Sequence, residues 1–213
     1  MSQPIIYLQR EFREEFIEKI QTIATDYQIK TSLNEEELQE VEISVGWSKK
    51  YSEALLQSPQ LKWVQSISAG VDYLPLNEFS DRGVLLSNGS GIHALSISEH
   101  TIGVLLSYYR GLTQAVKAQE QRDWVQDTIH YDQLAGKNLL VVGTGHIGQQ
   151  LSKSIHSLGV NVYGINTTGH PAEGFIETYS IKNLAKIVPE MDIVVGILPG
   201  THETYHIFNS DIF

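Results

Sequence analysis

The chain has 213 residues, which is enough for one large domain or for two modest domains that each bury a core; we expect two. Apolar residues make up 41% and charged residues 19% of the sequence, a globular composition that excludes disordered, collagen-like and coiled-coil classes. The formal net charge of −10 leaves no basic stripe for a phosphate backbone, so nucleic acid is not an expected partner.

Cysteine usage and the first residues indicate the compartment. The sequence contains no cysteine, which excludes disulfides, thiolate metal sites and a cysteine nucleophile, and we expect no metal. The first apolar run, Ile5-Ile6-Tyr7-Leu8, is far shorter than a signal-peptide core or the ~20 apolar residues of a membrane span. We therefore expect a cytoplasmic protein that has no membrane partner.

Strands and helices alternate along the first half of the chain. The apolar run at residues 5–8 predicts a strand, and Phe12, Phe16, Ile20 and Ile23 recur at the spacing of an amphipathic helix over residues 11–24. Further strands are predicted at residues 41–45, 61–67 and 84–86, with a helix at 51–57. Repeated βα alternation indicates a parallel sheet with helices on its faces.

The second half begins with a long helical pattern over residues 96–121, which we interpret as a bridge between two units. A strand at 138–142, a helix marked by apolar residues from 147 to 158 and a strand at 160–165 then fit one βαβ unit of about 30 residues. A helix at 181–188 and a strand at 192–198 come next. The sequence thus predicts a second parallel sheet.

A glycine-rich turn joins the strand at 138–142 to its helix. The first glycine permits the tight turn, the second lets the backbone approach a pyrophosphate, and the third allows close packing of helix on strand. The phosphates would lie on the free N–H groups and positive dipole end of the helix. A purely structural turn is the alternative. The predicted dinucleotide-binding residues are Gly143, Thr144, Gly145, His146, Ile147 and Gly148.

The end of the next strand bears on the choice of cofactor. An acidic residue there normally accepts the ribose hydroxyls of NAD, but this chain has Asn166-Thr167-Thr168. A neutral loop removes a carboxylate that would repel a 2′-phosphate, and these side chains could donate hydrogen bonds to it. NADP is therefore favoured over NAD. The nearest basic candidates are His170 and Lys182, and a solvated turn without a cofactor role is the alternative.

Three more segments now become informative: Ser66 to Asp72, Ser98-Glu99-His100 and Leu198 to Thr204. With the glycine turn, they resemble the ordered motif series of the D-isomer-specific 2-hydroxyacid dehydrogenases, and glyoxylate, hydroxypyruvate and phosphoglycerate dehydrogenase-like members above all. The resemblance implies an α/β chain with a flavodoxin-like substrate domain at residues 1–95. An incomplete Rossmann doubly wound parallel sheet, the NAD(P)-binding domain, would follow at residues 96–213.

The resemblance also implies roles for individual residues. Ala69, Gly70 and Val71 match a loop whose backbone N–H groups hold the carboxylate of a small 2-hydroxy or 2-keto acid, with a plain β-turn as the alternative. Trp47 occupies a second substrate-facing loop, although a core tryptophan is equally compatible with the sequence. Residues expected to line the cofactor cleft are Leu198, Pro199 and Thr204.

The resemblance places the family's catalytic Arg, Glu and His after the Leu-Pro motif, beyond residue 213, so no catalytic residue is predicted within this sequence. We expect a C-terminally truncated family member, and the sequence does not decide whether this chain catalyses turnover by itself. The alternative is a catalytically inactive NAD(P)-binding or interaction module. Members of the family usually form dimers, and a homodimer that uses residues 111–131 is the expected assembly.

Overall fold

A computed structural model of the chain describes residues 3–124, 129 and 131–212. It divides into two compact units, Met1–Ser90 and Gly91–Phe213. Every strand pair in both units is parallel, which confirms the α/β class. None of the helices found in these described ranges has the length and apolar character needed to cross a bilayer.

The first unit is a five-stranded parallel sheet with strand order β2-β1-β3-β4-β5, the flavodoxin-like order expected for it. Its strands are β1 (Ile5–Leu8), β2 (Gln28–Lys30), β3 (Val41–Val45), β4 (Trp63–Gln65) and β5 (Leu85–Ser87). Its helices are α1 (Glu14–Ile23), α2 (Glu35–Leu38), α3 (Ser52–Gln57) and α4 (Leu76–Arg82). All four residues of β1 are buried, because strands inside a parallel sheet are covered on both faces.

Three elements of this unit escaped the sequence analysis for physical reasons. β2 has three residues and only partly buried side chains at the sheet edge, so it leaves no apolar run. α2 is a single turn started by a capping box, in which Asn34 and Glu37 each bond the other's backbone N–H. α4 is short and ends at Gly83, whose φ of +67° is left-handed.

The second unit begins with α5 (Ala94–Tyr109) and α6 (Leu112–Glu120). The prediction of one helix over residues 96–121 is therefore wrong. Gly111 adopts a left-handed φ of +62°, which ends the first helix and starts the next. The apolar spacing continues across this break, so the periodicity alone does not reveal it.

A four-stranded parallel sheet completes the second unit, with strand order β8-β7-β6-β9, equivalent to the first four strands of the Rossmann order. The elements are β6 (Asn138–Val142), α7 (His146–His156), β7 (Asn161–Asn166), β8 (Glu177–Ser180), α8 (Leu184–Ile187) and β9 (Ile193–Gly196). The helix expected at 181–188 is thus shorter, with 3₁₀ turns on both sides at Ile181–Asn183 and Val188–Glu190. The strand order confirms the predicted Rossmann-type sheet.

The core of the second unit reflects the alternation of side chains along β6. Leu139 and Val141 pack with residues of α5 and α7, whereas Leu140 and Val142 pack with residues of α8 on the opposite face. All four are fully buried. A strand covered on both faces holds the end of β6, and the turn after it, in a fixed position.

Candidate functional site

The glycine turn lies between β6 and α7, and its three glycines answer to different constraints. Gly143 has a left-handed φ of +118°, and a Cβ on it would collide with the carbonyl oxygen of Ile197. A Cβ on Gly148 would collide with the Gly143 carbonyl oxygen. A Cβ on Gly145, in contrast, would meet no atom of the described residues within 4 Å. The space beside Gly145 is therefore open to a ligand.

The N-terminus of α7 follows the glycine turn, and no side chain of the described residues caps it. Gly145 is the N-cap residue, and the first turn of the helix holds no acidic residue. The Gly145 carbonyl accepts the first helical hydrogen bond from the Gln149 N–H at 2.9 Å. The preceding amides and the helix dipole are thus available to an anion, as a pyrophosphate site requires.

The loop after β7 is built around Asn166, which is buried. Its Nδ2 donates to the carbonyl oxygen of His170 at 2.8 Å and to Thr144 Oγ1 at 3.2 Å, and its Oδ1 accepts from the Gly169 N–H at 2.7 Å. Both amide hydrogens are therefore committed within the chain. In this arrangement Asn166 ties the loop to the glycine turn and has no amide hydrogen left for a 2′-phosphate.

Thr167 and Thr168 remain at the surface of this loop together with His170. Thr168 Oγ1 and His170 Nδ1 are 3.0 Å apart, within hydrogen-bond distance. On the neighbouring β8, the hydrogen bond from the Tyr179 hydroxyl to Glu177 Oε2, at 2.7 Å, raises the pKa of Tyr179 to about 12. That phenol therefore stays neutral at physiological pH.

A cavity of about 420 Å³ brings most of the predicted cofactor residues together. It also contacts Glu203, and Thr204 closes its rim by donating from Oγ1 to the Pro199 carbonyl oxygen at 2.5 Å. The predicted cofactor residues in its lining are Gly143, Thr144, Gly145, Asn166, Thr167, Leu198, Pro199 and Thr204. Those outside its lining are His146, Ile147 and Gly148 at the start of α7, and Thr168 in the adjacent loop.

In the first unit, the predicted carboxylate loop comes after β4. The N–H groups of Ala69, Gly70 and Val71 have no acceptor among the described residues, and Gly70 is exposed. Trp47 is buried in the core of this unit, with its ring edge-to-face against Phe79 at 4.9 Å between centroids. The contacts of Trp47 thus favour the core interpretation over a pocket wall.

Comparison with known proteins decides the family. Residues 102–213, more than half of the chain, match the family model described as D-isomer specific 2-hydroxyacid dehydrogenase, NAD binding domain. The chain belongs to the D-isomer specific 2-hydroxyacid dehydrogenases. A solved structure of a D-isomer specific 2-hydroxyacid dehydrogenase family protein from Aeromonas salmonicida is 31% identical, with a TM-score of 0.82. That alignment covers 98% of this chain and 68% of the other.

Two curated relatives show how much of a D-isomer specific 2-hydroxyacid dehydrogenase is aligned. The glyoxylate reductase of Thermofilum pendens is 28% identical over 75% of this chain and 49% of its own length. The D-lactate dehydrogenase of Streptococcus agalactiae is 30% identical over 75% of this chain and 48% of its own length. The chain thus spans about half the length of these curated relatives.

Membership in the D-isomer specific 2-hydroxyacid dehydrogenases confirms the resemblance drawn from the four motifs. Sequence reasoning missed the side chains that hold the predicted carboxylate loop after β4, above all Ser68 and Asn88. The only signal for Asn88 was its place after β5, at the same sheet edge as the end of β4. Its partner, the Ala69 carbonyl, lies 19 residues away, so no local pattern pairs them.

Proposed function

We propose that the chain binds NAD(P) and a small 2-hydroxy or 2-keto acid as part of a D-2-hydroxyacid dehydrogenase. The bound cofactor supplies or accepts the hydride at C4 of its nicotinamide, and C2 of the acid is the other partner. The observation that carries the proposal is the open space at Gly145, beside the uncapped start of α7. A pyrophosphate fits there because its charge meets free N–H groups and the helix dipole.

The first unit supplies the substrate end of the proposal. Three consecutive N–H groups, those of Ala69, Gly70 and Val71, have no acceptor among the described residues, and such a run of donors suits a carboxylate. The family's acid–base pair and substrate-binding arginine are not assigned to any residue of this chain. The rival function is a nucleotide-binding module without turnover, which would lack acid–base assistance worth about 10²–10⁴-fold in rate.

NADP is the proposed cofactor, now on a revised residue set. Thr167, Thr168 and His170 lie exposed where β7 ends, at the edge where Rossmann sheets hold the adenosine ribose. None of these side chains carries a negative charge, and a hydroxyl or imidazole can donate to a 2′-phosphate. Asn166 holds this loop in place by donating a hydrogen bond to the His170 carbonyl oxygen.

Isothermal titration with NADPH and NADH tests the cofactor proposal. We expect micromolar binding with NADPH preferred, and we expect His170→Ala to weaken NADPH about threefold to tenfold, the effect of one lost hydrogen bond. NADH affinity should not change. His156→Ala, at the far end of α7, is the matched control. Equal losses for both cofactors would contradict the 2′-phosphate role.

The same protein, assayed for oxidation of NADPH with glyoxylate or hydroxypyruvate, separates the two functions. Turnover above the rate without enzyme eliminates the non-catalytic module. Cofactor binding without turnover favours it. A folded chain that gives no binding heat with either cofactor would overturn both.

We also propose a homodimer that uses the outer faces of α5 and α6. Tyr108, Leu112 and Val116 are exposed there although they are apolar or aromatic, and Trp124 is 87% exposed beside a groove of about 560 Å³. Exposed apolar surface of this kind marks association sites, and homodimer interfaces are more apolar than other surfaces. Of the contact surface predicted at 111–131, residues 125–128 and 130 lie outside the described residues.

Sedimentation velocity tests the dimer through Val116→Asp. A charge in the centre of an apolar interface must be desolvated, so the variant should sediment as a monomer at concentrations where the unsubstituted chain is dimeric. Ile176→Asp changes an apolar residue that is 62% exposed elsewhere in the unit and should stay dimeric. An unsubstituted chain that is monomeric at tens of micromolar overturns the proposal.

A further inference from the structure

The carboxylate loop after β4 has three consecutive carbonyl groups that are each held by a hydrogen bond. The Ser68 carbonyl accepts from the Gly89 N–H at 3.0 Å and from Ser66 Oγ at 3.1 Å. The Ala69 carbonyl accepts from Asn88 Nδ2 at 2.8 Å. The Gly70 carbonyl accepts from Ser68 Oγ at 2.7 Å. The orientation of three successive peptide planes is thereby fixed.

Fixing these carbonyls also fixes the amides that come after them. A trans peptide is planar and its N–H points opposite to its C=O, so each held carbonyl determines the direction of the next N–H. The amides concerned belong to Ala69, Gly70 and Val71, which have no acceptor within residues 3–124. The loop therefore presents donors that are oriented before any anion arrives, and binding need not order them.

Tyr73 completes the hydroxyl cluster that orients Ser68. Its hydroxyl lies 3.2 Å from Ser66 Oγ and 3.3 Å from Ser68 Oγ, and the two serine oxygens are 3.1 Å apart. Ser68 has one hydroxyl hydrogen, and its shortest hydrogen bond is the 2.7 Å contact to Gly70. Toward its other neighbours Ser68 Oγ can then only accept hydrogen bonds. The Tyr73 hydroxyl is placed to donate one of them.

We propose that Ser68, Asn88 and Tyr73 are positioning residues that pre-organise the amides of Ala69, Gly70 and Val71 for the carboxylate of a small 2-keto acid. None of the three needs to touch the substrate. They act through the carbonyl groups on the opposite side of the peptide planes. This inference rests on the proposed function, since it deepens the role of the carboxylate loop.

Titration of the full ¹⁵N-labelled chain with pyruvate, followed by amide chemical shifts, tests the inference. The amides of residues 69–71 should shift with pyruvate, and much less with its neutral methyl ester. Ser68→Ala and Tyr73→Phe should each weaken pyruvate binding about threefold to tenfold, as expected for one hydrogen bond. Ser68→Thr keeps the hydroxyl and should restore the affinity.

Two matched controls remove the same groups elsewhere in the first unit. Ser52→Ala deletes a hydroxyl that donates to the Lys49 carbonyl, and Tyr27→Phe deletes one that donates to Glu42. Both should bind pyruvate like the unsubstituted chain, while all four variants should lower the unfolding temperature by only a few degrees, the cost of one hydrogen bond. A merely structural role would lower the unfolding temperature without a selective loss of affinity, and would overturn the inference.

The remaining outcomes separate this inference from the proposed function. Pyruvate shifts at residues 69–71 that are equally strong in Ser68→Ala and Tyr73→Phe overturn the positioning role and leave the carboxylate site standing. The absence of any shift at these amides in the unsubstituted chain overturns the carboxylate site and the positioning role together. Cofactor binding, measured by titration calorimetry, is independent of both results.

Discussion

Gly145→Asp is expected to abolish binding of the nicotinamide cofactor while leaving the chain at least as stable as before. Gly145 is the N-cap of α7, with φ −76° and ψ −163°, an extended conformation that aspartate adopts readily. Its carboxylate would accept hydrogen bonds from the amides of Ile147 or Gly148, which is stabilising at a helix N-terminus. The same amides and the same dipole are those that a pyrophosphate needs, and the new charge repels it.

The expected loss is more than about 100-fold in affinity, since like charges brought together cost several kcal/mol. Titration calorimetry measures this loss, and thermal unfolding measures the stability. Asparagine caps helices about as well as aspartate but carries no charge. Gly145→Asn should therefore lower the affinity for the cofactor by roughly tenfold and leave the unfolding temperature unchanged. Unchanged NADPH affinity in Gly145→Asp would show that the phosphates lie elsewhere.

The sequence was sufficient to predict an element or a residue's role where a local pattern and a burial constraint coincide. The apolar run at 138–142 indicated a buried strand, and the glycine turn directly after it left a helix as the natural next element. The assignment of different roles to Gly143, Gly145 and Gly148 also comes from their order in the turn. Their surroundings differ in the way this order predicts: two are crowded by backbone and one faces open space.

The sequence was insufficient where the deciding contact joins residues far apart in the chain. Asn166 could be interpreted as a ligand donor because its partner Thr144, 22 residues earlier, is invisible to any local pattern. Likewise, the break at Gly111 depends on one left-handed residue within an uninterrupted apolar spacing. Short edge strands such as β8 carry too little burial to leave a periodic signal.

Gly148→Ala is expected to destabilise the second unit, whereas Gly103→Ala is expected to stabilise it. Both glycines lie within helices, α7 and α5 respectively. A Cβ at Gly148 collides with the Gly143 carbonyl oxygen and lies 3.2 Å from Val141 Cγ1, so helix and strand must separate. A Cβ at Gly103 meets no atom of the described residues within 4 Å, and alanine there reduces the flexibility of the unfolded chain.

Overpacking of this kind costs about 1–3 kcal/mol, and each kcal/mol shifts Tm by roughly 2–4 °C in a chain of this size. Gly148→Ala should therefore lower Tm by about 2–12 °C. Gly103→Ala should gain roughly 0.5–1 kcal/mol, the usual difference between alanine and glycine in a helix, and raise Tm by a few degrees. Thermal unfolding followed by far-UV circular dichroism measures both shifts. If Gly148→Ala leaves Tm unchanged or raises it, close packing of α7 on β6 is not what requires glycine at position 148.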